Sequence, residues 1–309
     1  MTPLLSICIP TYNRVDFLRQ VLDSIVSQDE FTQTDQIQIV ISDNCSTDTT
    51  PELVKQYIAR YGSKIKYSKT EKNIGFDNFE RVMANGDGKF LKLHNDYLLL
   101  KPNALSVMLY YIEKYCSEKP ILFFRNIPHV PQAVHCETLD DFMKEISFFN
   151  TWIACFGMWK TTHDSQTDWF RANKSSLPQT DILCRMLAGG TSALIIYDEI
   201  FTLLPVAQKG GYNIAEVFGY NYLQILKKFV EKGALSKSVY RREKKEILLK
   251  HINPFYFDIK KEYTFYQTGY FKWLWNDYKY CPYFYLGYLK WMRKKFRAAW
   301  KSLFRRKHP

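Results

Sequence analysis

An α/β domain on a mostly parallel sheet, followed by a helical, aromatic and basic extension, is the architecture this sequence predicts. Three observations carry it. Short apolar runs alternate with stretches of helical periodicity over the first 125 residues, the runs end in turns rich in Asn, Asp, Ser and Thr, and aromatic and basic residues crowd into the last quarter.

The elements follow in order. Residues 6–10 form a short buried strand, after which Phe17, Leu18, Val21, Leu22 and Ile25 recur at helical spacing. A second strand at 37–42 precedes a helix opening near Thr50 and Pro51, where proline suits the first turn. Residues 65–68 are a third strand, 77–85 a helix, and 89–93 a fourth strand; a helix then begins near Pro102 and a strand covers 121–124. Helices are expected on both faces of this sheet. The run 151–159 is strand-like, and a helix follows Asp181.

Composition bounds the function. The chain has 309 residues and 46% hydrophobic content, enough for a full core. Its seven cysteines are scattered without a CxxC pair, which implies neither a disulfide framework nor a zinc knuckle and suits a reducing compartment. An apolar run begins within the first few residues without a basic leader, and no stretch approaches about 18 uninterrupted apolar residues, so neither a signal peptide nor a membrane span is expected.

The net charge of +12 is localised. Nine Lys or Arg and no acid lie from Pro282 onward, leaving 34 basic against 31 acidic residues elsewhere. Seventeen of the 37 residues from Phe255 to Trp291 are aromatic. On a helix, Leu289, Met292, Phe296, Trp300 and Leu303 share one stripe, flanked by Lys290, Lys294, Arg297, Lys301 and Arg305. That pattern predicts an interfacial helix on an anionic membrane surface; the alternative is a helix packed on the domain. No nucleic-acid motif accompanies the basic tail, so nucleic acid is not an expected partner.

In sheets of this kind ligands gather beyond the carboxyl ends of the strands. Three turns stand there: Pro10-Thr11-Tyr12-Asn13-Arg14, Asp43-Asn44-Cys45-Ser46-Thr47-Asp48, and His94-Asn95-Asp96. Tyr12 suits stacking on a base, Asp43 suits accepting from a base N–H, and Asp96 suits holding a cation against a diphosphate. Helix capping by Asp43 and Asp48, with Tyr12 packed, is the other reading of the same residues. Gly86-Asp87-Gly88-Lys89 lacks P-loop spacing, and no GxSxG or HExxH motif is present.

Together with Asn73-Ile74-Gly75-Phe76-Asp77-Asn78-Phe79 and Gly88-Lys89-Phe90, these segments resemble glycosyltransferase family 2, inverting nucleotide-sugar enzymes of GT-A fold, over roughly the first 110 residues. The resemblance implies that Thr11, Tyr12 and Asp43 hold the nucleotide, with Asn73 and Asn78 beside the donor. Where the family carries several aspartates, the last binding Mn²⁺ or Mg²⁺, only Asp96 is acidic here, flanked by His94, Asn95 and Tyr97. It therefore implies Mn²⁺ or Mg²⁺ on Asp96, with His94 as a second ligand or merely a hydrogen-bonding residue at a strand end. The family's general base falls on Asp181, which also reads as a first-turn acid; Asp164 and Asp168 are alternatives. The run 151–159 resembles the acceptor-side strand.

The expectation is thus a GT-A domain over 1–220 and a membrane-associating extension over 221–309. It would act at the inner face of the cell membrane, moving a sugar from a UDP or dTDP donor to a lipid-linked or polysaccharide acceptor, with other glycosyltransferases as candidate partners. A catalytically silent subunit that binds glycan or docks a partner enzyme is the alternative. A nucleotidyltransferase is disfavoured, because no Gly- and Lys-rich loop follows the first strand.

Overall fold

The computed structural model describes residues 2–128, 131–205, 210–257, 264–266 and 268–305. The chain forms two compact units, Met1–Val206 and Ala207–Pro309. In the first, the order is β1 (Leu5–Thr11), α1 (Val15–Val26), α2 (Asp29–Gln33), β2 (Ile37–Asp43), α3 (Thr50–Tyr61), β3 (Ile65–Lys69), α4 (Asp77–Ala84), β4 (Phe90–Leu93), β5 (Leu98–Leu100) and α5 (Ala104–Lys114). It continues with β6 (Ile121–Phe124), β7 (Ala133–Cys136), α6 (Leu139–Ile146), β8 (Gly157–Trp159), α7 (Lys160–Ser165), α8 (Pro178–Ala188), β9 (Ala193–Ile196) and β10 (Phe201–Leu203).

The main sheet runs β3-β2-β1-β4-β8, with β1 to β4 mutually parallel and β8 antiparallel to β4. A second sheet, β6-β9-β7, has β6 parallel to β9, and β5 pairs antiparallel with β10. The α/β class expected from the alternating runs is the one found. Leu5, Ile7 and Ile9 on alternate positions of β1 join Leu18, Val21, Leu22 and Ile25 of α1 in one buried core, as period-two and helical spacing require.

Glycine has a steric reason at Gly88: a β-carbon there would lie 2.6 Å from the Ser6 nitrogen and 2.8 Å from the Leu5 carbonyl carbon. That close approach lets the Gly88 amide donate to the Ser6 hydroxyl (2.8 Å), which donates to Gln38 (2.9 Å) and so ties the start of β4 to β1 and β2.

One strand expectation fails in part. In the run 151–159 only Gly157–Trp159 is strand, and Ile153–Cys155 is a 3-10 turn. The turn aims the Ala154 carbonyl at the buried Lys92 ammonium, and Gln179 donates to the Thr151 carbonyl (2.7 Å); these tertiary bonds override the run's β propensity.

The second unit comprises β11 (Gly210–Asn213), α9 (Tyr222–Glu231), α10 (Lys237–Ile247), α11 (Asn253–Phe257), β12 (Thr264–Tyr266), α12 (Tyr270–Tyr278) and α13 (Pro282–Arg305), with π-helical turns at Ala215–Asn221 and Leu248–Ile252. Pairing of β11 with β12 draws residues 210–213 into this unit, ahead of the boundary expected at 220. Its aromatics build a core: Tyr270 stacks on Phe284 at 5.5 Å, Phe257 on Trp291 at 5.0 Å, and Tyr222, Tyr278 and Phe284 are wholly buried. Along α13, Leu286, Leu289, Phe296 and Trp300 remain exposed, as do Lys290, Arg293 and Arg297. Arg306 and Lys307 of the basic tail lie outside the described residues. Among the described residues no helix is long and apolar enough to cross a membrane.

Candidate donor site

Because β1, β2 and β4 are parallel neighbours, their following turns meet at one edge of the sheet. Asn13 takes a left-handed conformation (φ 50°), accepts from the Thr47 amide (2.7 Å) and donates from its own amide to the Ser46 hydroxyl (2.9 Å), locking the first turn to the second. Asp48 accepts from the Val15 amide (3.0 Å) and from Thr50 (amide 3.1 Å, hydroxyl 2.6 Å), so it holds the starts of α1 and α3. The capping reading therefore describes Asp48.

Asp43 is different. Wholly buried, it accepts from the Ser46 amide (2.7 Å) and the Tyr67 hydroxyl (2.8 Å), and burial followed by that hydrogen bond pushes the Tyr67 phenol well above its usual range. Tyr12 is 43% exposed, leaving its ring at the rim of the site instead of in the core.

Asp96, 2% exposed, receives the Thr11 hydroxyl (2.9 Å), the Arg14 Nη1 (2.9 Å) and the Tyr12 amide. Burial pushes its carboxyl up, against Arg14 and Thr11, which pull it down. For Arg14, burial disfavours the charge, but Asp96 outweighs that and holds the guanidinium above the ordinary arginine range. The pair is a charged one, since three donors converge on one carboxylate.

His94 is wholly buried, its Nε2 2.7 Å from the Leu98 carbonyl and its Nδ1 without a hydrogen bond. Burial, then Lys92, brings its pKa down to about 3, so the ring is neutral and donates to Leu98. Among the described residues no three His, Cys, Asp or Glu side chains gather as a metal set. The residues do not fit a divalent ion as they stand: Asp96 is taken up by Arg14, Thr11 and Tyr12, and His94 lies tied beneath the turn.

Residues 73–79, the loop before α4 and the first turn of that helix, flank this edge. Asn73 accepts from Asn44 (2.9 Å) and the Gly75 amide (2.8 Å), while Gly75 adopts φ 60°. Asn78, 2% exposed, is clamped to β2 by the Ser42 hydroxyl (2.6 Å) and donates to the Ser42 carbonyl (2.9 Å). Both asparagines shape the loop. Phe76 and Phe79 line a small crevice with Leu93, Phe156, Pro178 and Ile182, which sets the start of α8 beside this loop.

Asp181, in the first turn of α8, is 1% exposed and doubly paired: Arg171 grips it bidentately (both 2.7 Å) and Arg185, four residues on, donates at 3.0 Å. Asp164 is a half-exposed surface acid on Lys160 and His163 (both 3.0 Å), and Asp168, with φ 57°, accepts through its carbonyl from the Arg171 amide (3.3 Å).

Residues 6–127 match the model of glycosyl transferase family 2. Over those residues the chain is similar to that family. An abequosyltransferase of Salmonella typhimurium is 34% identical over 111 residues, 36% of this chain and 33% of that protein. A poly(ribitol-phosphate) β-N-acetylglucosaminyltransferase of Staphylococcus aureus, TarS, is 28% identical over 137 residues, 43% of this chain and 23% of that protein. The chain thus spans a third or less of the length of these curated relatives. The fold extends further. The structure of S. aureus TarS with UDP-GlcNAc superposes with a TM-score of 0.58 at 16% identity over 84% of this chain and 76% of that one. A Pyrobaculum calidifontis mannosyltransferase solved with GDP-Man and Mn²⁺ gives 0.56 at 15% identity, covering 81% and 71%. The fold is GT-A.

Periodicity missed Arg14, Tyr67, Arg171 and Lys92 as working residues. Arg185 was findable, since it stands four residues from Asp181 on one helix face.

Proposed function

We propose that this chain is an inverting glycosyltransferase that takes a sugar from a UDP or dTDP donor and passes it to a lipid-linked or polysaccharide acceptor in assembly of a surface glycan. The observation that carries the reading is the convergence of three strand-end turns, where Thr11 of β1 is bonded to Asp96 after β4 and Asn13 is bonded to the turn after β2. That edge offers an exposed tyrosine for a base and a charged pair for a diphosphate. Similarity of residues 6–127 to the family and the UDP-GlcNAc complex of TarS support a uridine-type donor.

In such a transfer the acceptor oxygen bonds to the anomeric carbon as that carbon's bond to the diphosphate oxygen breaks. The electron pair leaves with the nucleoside diphosphate, and a carboxylate takes the hydroxyl proton. Asp181 is the candidate base, beside residues 73–79. Three of its roughly four acceptor positions are filled by Arg171 and Arg185, which leaves a lone pair on Oδ1 to take the proton.

Residues beyond Pro282 carry the membrane reading. The exposed Leu286, Leu289 and Phe296 lie among Lys290, Arg293 and Arg297, a surface suited to the cytoplasmic face of an anionic bilayer, where a lipid-linked acceptor is met. A silent subunit that binds glycan or docks a partner enzyme is the second reading, favoured by the pairing of the lone acid of the 94–96 turn with Arg14. Incubating the pure protein with radiolabelled nucleotide sugars and bacterial lipid-linked acceptors separates the two. Label transfer supports the enzyme; nucleotide binding without consumption of any donor supports the silent subunit.

A further inference from the structure

Arg14 is where the 94–96 turn departs from a metal site. Its Nη1 is bound to Asp96 at 2.9 Å, its guanidinium lies 5.2 Å from the centre of the Tyr97 ring, and its side chain is 37% exposed. Asp96 thereby serves as an anchor. Three of its roughly four acceptor positions are filled, by Thr11, Arg14 and the Tyr12 amide, and the acids of the turn after β2 are engaged as well, Asp43 by Ser46 and Tyr67 and Asp48 by Val15 and Thr50. A dication placed here would meet a resident positive charge. A guanidinium carries five N–H donors in a planar fork, and among the described residues Nη2 and Nε of Arg14 make no hydrogen bond, so the fork keeps donors for another anion.

We propose that Arg14 is the built-in cation of the donor site. Resting on the donor-site reading above, its guanidinium, held in place by Asp96 and the Tyr97 ring, receives the diphosphate of the nucleotide sugar and meets the charge that gathers on the departing diphosphate, the work the family resemblance assigns to a divalent ion. Asp96 is then a positioning residue: it orients Arg14 through Nη1 and leaves the remaining donors to the phosphates. Asp96 and the Tyr97 ring hold the guanidinium at this edge without a ligand.

The test is calorimetric titration of the full chain with UDP, dTDP, GDP and uridine, in chelator and in Mn²⁺. The wild type is expected to bind its preferred nucleoside diphosphate equally well in both conditions. Arg14→Gln is expected to weaken that binding by about tenfold or more, with uridine binding unchanged, since the nucleoside lacks the diphosphate. Arg14→Lys retains the charge on Asp96 without the fork and should fall between the two, which keeps the test usable if the glutamine variant misfolds. Diphosphate binding that vanishes in chelator and returns with Mn²⁺ overturns the proposal, as does an Arg14→Gln protein that binds as tightly as the wild type. A wild type that binds no nucleoside diphosphate in either condition overturns the donor-site reading itself.

Discussion

Lys92 gives the fold a pH dependence that can be worked out from its surroundings. It is wholly buried on β4, donates to the carbonyls of Leu93 (2.8 Å) and Ala154, and lies 5.1 Å from the centre of the Phe201 ring and 5.5 Å from that of Phe124. Among the described residues no carboxylate forms an ion pair with it. Burial accordingly brings its pKa from 10.5 down to about 7. The sign follows from proton counts. Between about pH 7 and 10.5 the unfolded chain holds a proton here that the native protein has released, so stability rises with pH across that window and is lowest below it. From pH 7 to 9 the gain is about 2 kcal/mol, at a limiting slope of about 1.4 kcal/mol per pH unit. Above pH 9 the buried Cys8 and Cys155 thiols, pushed up to about 12, work in the opposite direction, which confines the useful window to pH 7–9. Urea unfolding of wild type and Lys92→Met at pH 7 and pH 9 isolates the term by difference. The wild type should gain about 2 kcal/mol more than the variant over that interval. Parallel pH dependence in the two proteins would refute a lysine buried without a counter-charge.

Three further outcomes are expected. Asp181→Asn should cut glycosyl transfer by about 10²–10⁴ while nucleotide binding survives, and should cost about 2 kcal/mol of stability by loosening Arg171 and Arg185; retained transfer in the folded variant moves the base to Asp164, Asp168 or another acid. Gly88→Ala should destabilise by about 1–3 kcal/mol, read in denaturant midpoints, because the β-carbon meets backbone of Leu5 and Ser6 that cannot give way. Phe296→Ser combined with Lys290→Gln, Arg293→Gln and Arg297→Gln should reduce co-sedimentation with anionic vesicles, each charge contributing about 1 kcal/mol at low salt, and equal binding by both proteins contradicts the membrane reading. Point changes are preferable to truncation before Pro282, since Phe284 is wholly buried in the aromatic core.

Much of the first unit was legible in the sequence. Strands such as 37–42 and 121–124 are short apolar runs, and their residues are buried in the sheet. Local chemistry also identified the strand-end turns, because Asn tolerates the left-handed backbone, as Asn13 does, and Asp accepts from amides two or three residues on, as Asp43 does from Ser46 and Asp48 from Thr50. Pairings over long sequence separation were not legible. Nothing near Asp96 in the chain announces Arg14, 82 residues away, and nothing near Lys92 announces the Ala154 carbonyl that turns residues 153–155 out of a strand. In the C-terminal unit, aromatic density was plain, but composition could not separate Phe284, which is core, from Phe296, which is exposed.

In the proposed donor site the nucleotide sits where β1, β2 and β4 end, with its base against Tyr12. Titration of UDP into the full chain and into Tyr12→Ala tests it most directly. Tyr12 is 43% exposed, so its removal leaves the core intact, and loss of ring stacking should weaken binding by about tenfold. Saturable binding that drops in the variant is the expected result. Equal affinity in both folded proteins would rule out a base stacked on Tyr12.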